Sequence, residues 1–384
     1  MASKAKSVDA GSTPFRFFDN REKYLLFVTT CSEKWEVATR ITRELEHLNP
    51  AQPALKVFDA GMGDGTVLTR VMRAMHAQFP TVPFLVVGKE VSLEDVRLSV
   101  EKLPDRFHEH PQTVFVATNM FYYEAAGLMP RNMDLHSQLN WHTIELDGES
   151  THGFDQQIRD ELQPILNEGW QTMTSEKSGN PRYVKPSVVV MYRKDHKFSL
   201  DSVIPRPGES DGEYDLVIAS QPYQARLPAD VKVRNVLGPL SRAIAPGGRM
   251  LTIQSTGKDP GMEIIRKVWP KEQPFKTPRH DLLATLKASD YVKGRKLRFL
   301  AHPDKQSLFN YGLHVLPNEV ASNIGTSTLL AAWNAAVYVA QIEDHRLRDA
   351  IADSSYLEAT QKAVKRHGGL WFQNESFTVA RPPK

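Results

Sequence analysis

The stretch that most constrains this chain is Val57-Phe58-Asp59-Ala60-Gly61-Met62-Gly63-Asp64-Gly65-Thr66. Two apolar residues run into an acid, glycine then stands at every second position, and Val67, Leu68, Val71, Met72 and Met75 follow at helical spacing. The pattern predicts a strand, a glycine loop and a helix. Glycine lets the backbone turn sharply and lets a ligand lie against it with no Cβ between them. The N–H groups opening the helix then face the ligand, with the positive end of the helix dipole behind them. A dinucleotide fingerprint reads Gly-x-Gly-x-x-Gly, whereas this loop is Gly-x-Gly-x-Gly behind Asp59, and it carries no phosphate-binding lysine.

Composition narrows the class. A chain of 384 residues, 41% hydrophobic and 24% charged, can bury a full core and hold two or three domains, or one domain with large insertions. A net charge of +3 and the lack of any long Lys/Arg run argue against nucleic acid as a partner. Cys31 is the sole cysteine, so no internal disulfide or cysteine metal cluster forms, which suits a reducing compartment. No metal is expected, because His136, His142 and His152 are not at ligand spacing. Residues 1–14 read as a flexible polar tail without the apolar core of a signal peptide. The longest apolar run, Leu329 to Ala340, is too short to span a bilayer, and the protein reads as cytoplasmic.

Along the chain, residues 15–54 read as an N-terminal helical cap, with Ser32 as N-cap of a helix through Trp35, Val37, Ile41 and Leu45. Phe84 to Gly88 and Thr113 to Thr118 are continuous apolar runs, each expected to be a strand buried on both faces. The strand–helix alternation lapses over 121–212, too long for a structureless loop, and that segment reads as an inserted α+β lobe. Between Glu124 and Glu161 eight acids stand against two arginines, favouring either a cationic or amine substrate or simply a solvated acidic face. Alternation resumes at Tyr214 to Ala219, and Ala245-Pro246-Gly247-Gly248 turns into a further strand ending near Gln254. Leu297 to Leu300 and Trp371 to Val379 are candidates for the last two strands, and a helix over Leu329 to Ile342 is expected to cover a sheet face. Eleven Lys/Arg against five Asp/Glu between Lys258 and Arg298 mark either an anionic partner or a solvated basic face.

The glycine loop resembles motif I of the class I S-adenosylmethionine-dependent methyltransferases, and the resemblance extends over Ala54 to Met120 and Glu213 to Gln254. It implies a Rossmann-like, seven-stranded α/β sheet with helices on both faces, its core formed by 55–120 and 213–384 and the lobe inserted between strands 3 and 4. It implies that the loop of Asp59, Gly61, Gly63 and Gly65 packs against the amino-acid part of the cofactor and that Glu90 accepts from the ribose hydroxyls. Asn119 would contact the adenine amino group and Met120 would pack on the ring, with a plain strand-end cap as the competing reading of Asn119. Ser220-Gln221-Pro222-Tyr223 stands where amino-group methyltransferases carry Asp/Asn-Pro-Pro-Tyr; Pro222 and Tyr223 match, and Ser220 and Gln221 depart.

The resemblance thus implies S-adenosylmethionine as cofactor and methyl transfer to a small-molecule acceptor, nitrogen slightly preferred over oxygen. Tyr223 is the aromatic candidate beside the methyl, Glu124 the candidate base for an amine and His142 for an oxygen acceptor. RNA or protein methylation is the alternative that the basic C-terminal third allows. A non-catalytic binding subunit with the same fold is a third. An aminopropyl transferase would need acids where Ser220-Gln221-Pro222 stands. Oligomeric state stays open, a homodimer included.

Overall fold

Strands form where the apolar runs are continuous, because a strand covered on both faces has no polar side to show. In the computed structural model, which describes residues 21–175, 181–315, 324–352 and 354–383, Leu55–Asp59 (β1), Phe84–Lys89 (β2), Thr113–Thr118 (β3) and Tyr214–Ser220 (β8) are such strands, and Ile244–Ser255 (β9) is covered on both faces from Met250 onward. The tail at 1–14 and Phe15 to Phe18 lie outside the described residues. Between β3 and β8 run Asn140–Leu146 (β4), Thr172–Thr174 (β5), Pro181–Tyr183 (β6) and Ser187–Arg193 (β7). After β9 come Arg298–Leu300 (β10), Leu308–Gly312 (β11) and Trp371–Ala380 (β12).

The main sheet has the order β10-β12-β9-β8-β1-β2-β3-β7-β4, with β11 also on β12. β1 pairs in parallel with both β2 and β8, so the chain leaves the sheet centre in two directions, and the crevice at the carboxyl ends of β1 and β8 is a topological switch point. β12 runs antiparallel between β9 and β10, and β10 and β11 pair with successive halves of it. The strands expected at 297–300 and 371–379 are β10 and β12.

Two expectations change. Among the described residues the sheet is ten-stranded rather than seven-stranded, and residues 121–212 do not stand apart as a lobe. Their longest strands extend the main sheet, β7 antiparallel on β3 and β4 parallel on β7. The physical reason is that β3 would otherwise present an open apolar edge, and Ser187–Arg193, buried along its whole length, covers it. Among the described residues only β5 and β6, paired antiparallel, form a separate sheet.

Alternation sends successive side chains to two cores. Val57, Val86, Phe115, Leu216 and Ile218 join one, packed by Glu33–Thr42 (α2), Thr66–Gln78 (α3), Leu93–Val100 (α4) and the helix Thr151–Gly169. Phe58, Val87, Val116, Val217 and Ala219 join the other, packed by the helices Gly238–Arg242 and Arg279–Ala288. A third core joins Arg21–Thr30 (α1) to the helices Pro260–Val268, Thr326–Val339 and Ser355–His367, so the helix expected near 329–342 packs chiefly on other helices, in a core that also takes in Tyr311 of β11 and Phe372 of β12. Trp333 is core there, stacked on Trp269. Ser32 holds the N-cap position of α2, but its hydroxyl caps nothing in that helix and bonds Gly312 N instead. No described helix is long and apolar enough to cross a membrane.

Candidate active site

The glycine loop closes on itself through acids at its two ends. Asp59 Oδ1 accepts from Gly61 N at 3.1 Å, and Asp64 Oδ1 accepts from Thr66 N at 3.3 Å. Gly63 and Gly65 have φ of +53° and +75°, in the left-handed region that favours glycine. A Cβ on Gly65 would also lie 2.8 Å from the Ser99 Cα, so the loop is seated against α4 as closely as glycine permits. Space is open around Gly61, where no atom lies within 4 Å of the Cβ position.

Glu90 ties the loop to the end of β2. Its Oε2 accepts from Gly63 N at 3.0 Å, while Oε1 accepts from Val91 N at 2.8 Å and Ser92 N at 2.9 Å. Three of a carboxylate's roughly four acceptor sites are thereby used, leaving one for a ligand hydroxyl. Trp170 Nε1 fixes the same residue's carbonyl at 2.8 Å.

These groups open onto a cavity of about 730 Å³ at the switch point, in the range of roughly 300–1,000 Å³ usual for small-molecule sites. Gly61, Gly63, Glu90 and Asp95 line one side; Ser220, Gln221, Pro222 and Tyr223 line another. α1 and α2 contribute Tyr24, Phe27 and Lys34, and the helix Thr326–Val339 contributes Tyr338, whose ring lies 4.8 Å from that of Phe27. Gln221 has φ +47°, strain of the kind that collects at functional sites. Arg226 Nη1 donates to the carbonyl of Gln341 at 2.7 Å and its Nη2 to Glu272 at 2.8 Å, which clamps the segment after β8 to the end of that helix.

Of the sequence candidates, Gly61, Gly63, Glu90, Asn119, Ser220 and Tyr223 line the cavity. Asp59 and Gly65 lie behind it, shaping the loop without facing the space. Burial, with Glu90 adding its charge, pushes the Asp59 carboxyl up to about 7. Asp95, on the cavity wall, is pushed to about 7 by the same two causes.

Four candidates receive different parts. Asn119 donates to the carbonyls of Gly169 and Lys185 at 2.8 and 2.9 Å and accepts from Ser187 N at 2.9 Å, so its amide stitches β3 to β7 and the long helix before it. Met120 is fully buried in the second core, and its neighbours Phe121 and Tyr122 line the cavity in its place. Glu124 is 3% exposed, with Oε2 accepting from Phe121 N at 3.3 Å and from the Tyr183 hydroxyl at 2.9 Å, and Oε1 from Arg131 N at 3.0 Å. These contacts fix the turn after β3, and Glu124, unlike Glu90, does not line the cavity, so it does not face a bound acceptor. His142 stands on β4, the outermost strand, with Nε2 on Asn140 Oδ1 at 2.7 Å, away from the cavity.

Tyr223 is held from behind. Its hydroxyl donates to Gln254 Oε1 at 2.9 Å, and Gln254 Nε2 donates to Glu375 Oε1 at 2.7 Å. Arg279 Nη1 closes the chain on Glu375 at 3.0 Å, and the Lys232 ammonium lies 4.7 Å from the Tyr223 ring centroid. Replacing Gln254 with leucine leaves a buried hydroxyl and a buried carboxylate each short of a partner, and stability is expected to fall by about 2–4 kcal/mol. Urea unfolding checks this, and an unchanged midpoint would remove the network from any role in holding Tyr223.

Sequence reasoning missed Lys34, Lys89, Asp95, Arg131 and Tyr338 as lining residues. Lys89 was legible, since it stands at the carboxyl end of β2 directly beside Glu90, where the site was expected. The others depend on how distant segments fold back. The eight acids between Glu124 and Glu161 contribute nothing to the lining, which, the buried Glu124 apart, favours the solvated-face reading of that run.

No family model matches this sequence, and no curated protein is significantly similar to it. Among solved structures the chain is similar to a geranyl diphosphate methyltransferase in complex with GPP and sinefungin, at 11% identity over 90% of this chain and 78% of that one, with a TM-score of 0.33. It is similar to Haemonchus contortus phosphoethanolamine N-methyltransferase 2 in complex with S-adenosyl-L-methionine, at 10% identity over 97% and 61%, TM-score 0.35. A third is PKMT2 from Rickettsia typhi in complex with AdoHcy, at 11% identity over 90% and 52%, TM-score 0.29.

Proposed function

We propose that this chain is an S-adenosylmethionine-dependent methyltransferase acting on a small molecule. The observation that carries the reading is the bond from Gly63 N to Glu90 across 3.0 Å, at the switch point of the sheet and open to the cavity. A glycine loop and a carboxylate on the next strand, fixed to each other, are what a nucleoside with an amino-acid tail requires, and the free space at Gly61 fits the tail. When bound, the cofactor supplies an electrophilic methyl on a sulfonium, which passes to the acceptor heteroatom as the methyl–sulfur bond breaks and its electron pair stays on sulfur.

The residues of the chain hold, orient and exclude water. One acceptor site on Glu90 takes a ribose hydroxyl. Asp95, Glu90 and Lys34 surround the cofactor end with charge of both signs, as a zwitterionic amino-acid group needs. Tyr122 and Tyr223 wall the acceptor end, where collinearity of nucleophile, methyl and sulfur is the main demand on the protein. The preference for nitrogen loses its support: the acids of 124–161 line nothing, and the Pro222 carbonyl accepts from the Tyr122 hydroxyl at 2.8 Å instead of standing free for an amine. From the basic segment 258–298 only Tyr291 lines the cavity, which disfavours an RNA or protein acceptor at this site.

Calorimetric titration with S-adenosylmethionine and S-adenosylhomocysteine tests the reading. Dissociation constants of roughly 1–100 µM are expected, lost in Gly63→Arg because an arginine at φ +53° would both strain and fill the loop. Absence of heat with both ligands would overturn the assignment.

A further inference from the structure

The cavity changes chemical character along its length. Its lining acids are Glu33, Glu90 and Asp95, all at the glycine-loop and α1–α2 end. Beyond Tyr122 the wall is aromatic, with Phe121 between two tyrosines: its ring lies 5.8 Å from Tyr123 and 5.1 Å from Tyr183. The charges on this side are all positive. Arg131 lies over the Tyr123 ring at 4.8 Å, Arg234, 4.0 Å from Asp230, is a further lining residue, and Lys89 stands at the end of β2.

Lys89 is the informative one. Its ammonium lies 5.0 Å from the Tyr122 ring centroid, and among the described residues no hydrogen bond or ion pair holds it. Lys89 is half-buried, and an ammonium partly withdrawn from water without an anion is held at a cost. A chain that keeps one aimed into a cavity has left room for the anion to come from a ligand. The neighbouring Glu90 makes no ion pair with it, its carboxylate oxygens accepting from backbone N–H groups instead. Burial holds the Lys89 pKa below its ordinary value, with Glu90 opposing, and a bound anion would raise it again.

Resting on the methyl-transfer reading, we propose that the acceptor is a planar aromatic molecule bearing an anionic group, carboxylate or phosphate, with the anion against Lys89 Nζ and the ring between the tyrosine faces. This is the opposite charge from the amine that the acidic run in the sequence suggested. Stacking supplies affinity for the ring and Lys89 supplies the sign of the charge.

The test uses the full chain saturated with S-adenosylhomocysteine and titrated with 4-hydroxybenzoate, phenyl phosphate, 4-hydroxybenzamide and tyramine, read by calorimetry. The two anions are expected to bind at least about tenfold tighter than the neutral amide, with tyramine weakest. The better of the two anions identifies the group. Lys89→Met is expected to erase the preference and Lys89→Arg to retain it, and a thermal shift on adding S-adenosylhomocysteine reports that each variant is folded with its cofactor end intact. If S-adenosylhomocysteine binds but the anions bind no better than the amide, or if Lys89→Met leaves their advantage unchanged, this inference is overturned alone. If S-adenosylhomocysteine fails to bind the unaltered chain, the methyl-transfer reading falls and takes the inference with it.

Discussion

Glu90→Gln is expected to weaken S-adenosylmethionine binding at least about a hundredfold, the largest effect of any single conservative change in this site. The carboxylate accepts from three backbone N–H groups, two on Oε1 and one on Oε2. An amide serves only one of those sets. If its oxygen keeps Val91 N and Ser92 N, its NH2 is driven against the Gly63 N–H, two donors facing one another at hydrogen-bond distance. The glycine loop then moves away from β2, and the remaining acceptor for a ribose hydroxyl is lost in the same step. Each unsatisfied buried donor costs about 1–3 kcal/mol, and losing a charged acceptor adds to that. Calorimetry with S-adenosylmethionine checks the prediction, and crystallography or amide exchange at Gly63 separates loop displacement from simple loss of the hydroxyl contact. An affinity within about threefold of the unaltered protein would mean that Glu90 only caps the turn.

How much of this was legible follows from which constraints are local. The glycine loop is a backbone requirement, so Gly63 and Gly65 declare it in the sequence and the positive φ values bear it out. β1, β2, β3 and β8, and β9 from Met250 onward, were legible because both faces of each are covered, and their apolar runs need no knowledge of the neighbours. What the sequence hides is who consumes a polar group. Glu124 follows a strand that ends at the site, which makes it look like a base. Its three partners come from Phe121, Arg131 and Tyr183, and only the last contact requires the β5–β6 pair to return to β3. Asn119 is lost to Gly169, Lys185 and Ser187 for a similar reason, since β7 pairs with β3 across more than sixty intervening positions. The acids from Glu124 to Glu161 misled in another way: composition counts charges but does not say which way an edge strand and a surface helix turn them.

Asp59→Asn is expected to make the ligand-free protein more stable at pH 8 by roughly 2 kcal/mol and less stable near pH 4 by roughly the same amount. The sign follows from the direction of the shift. Burial, then the charge of Glu90, carries the folded-state carboxyl from the usual 3.8 up to about 7, so below about 4 both folded and unfolded chains hold the proton and nothing is lost. Between 4 and 7 the unfolded chain gives up its proton and the folded chain resists, and the folded state loses stability until both are ionised above about 7. Asparagine removes the slope yet keeps an oxygen for Gly61 N, whose bond to Asp59 is 3.1 Å. Three pKa units would give about 4 kcal/mol, and the unpaired amide N–H group takes back part of it. Denaturant unfolding of both proteins at pH 4.5, 6 and 8 measures the effect. A constant difference across the range would show that Asp59 ionises normally behind the loop. The same comparison with saturating S-adenosylmethionine should reverse the order at pH 8, because the cationic groups of the cofactor favour the ionised carboxylate and only the aspartate gains from them. A buried acid behind a glycine loop is then a stability defect that the cofactor repairs, which is the arrangement expected where a site is kept poised for a cation and not for the empty protein.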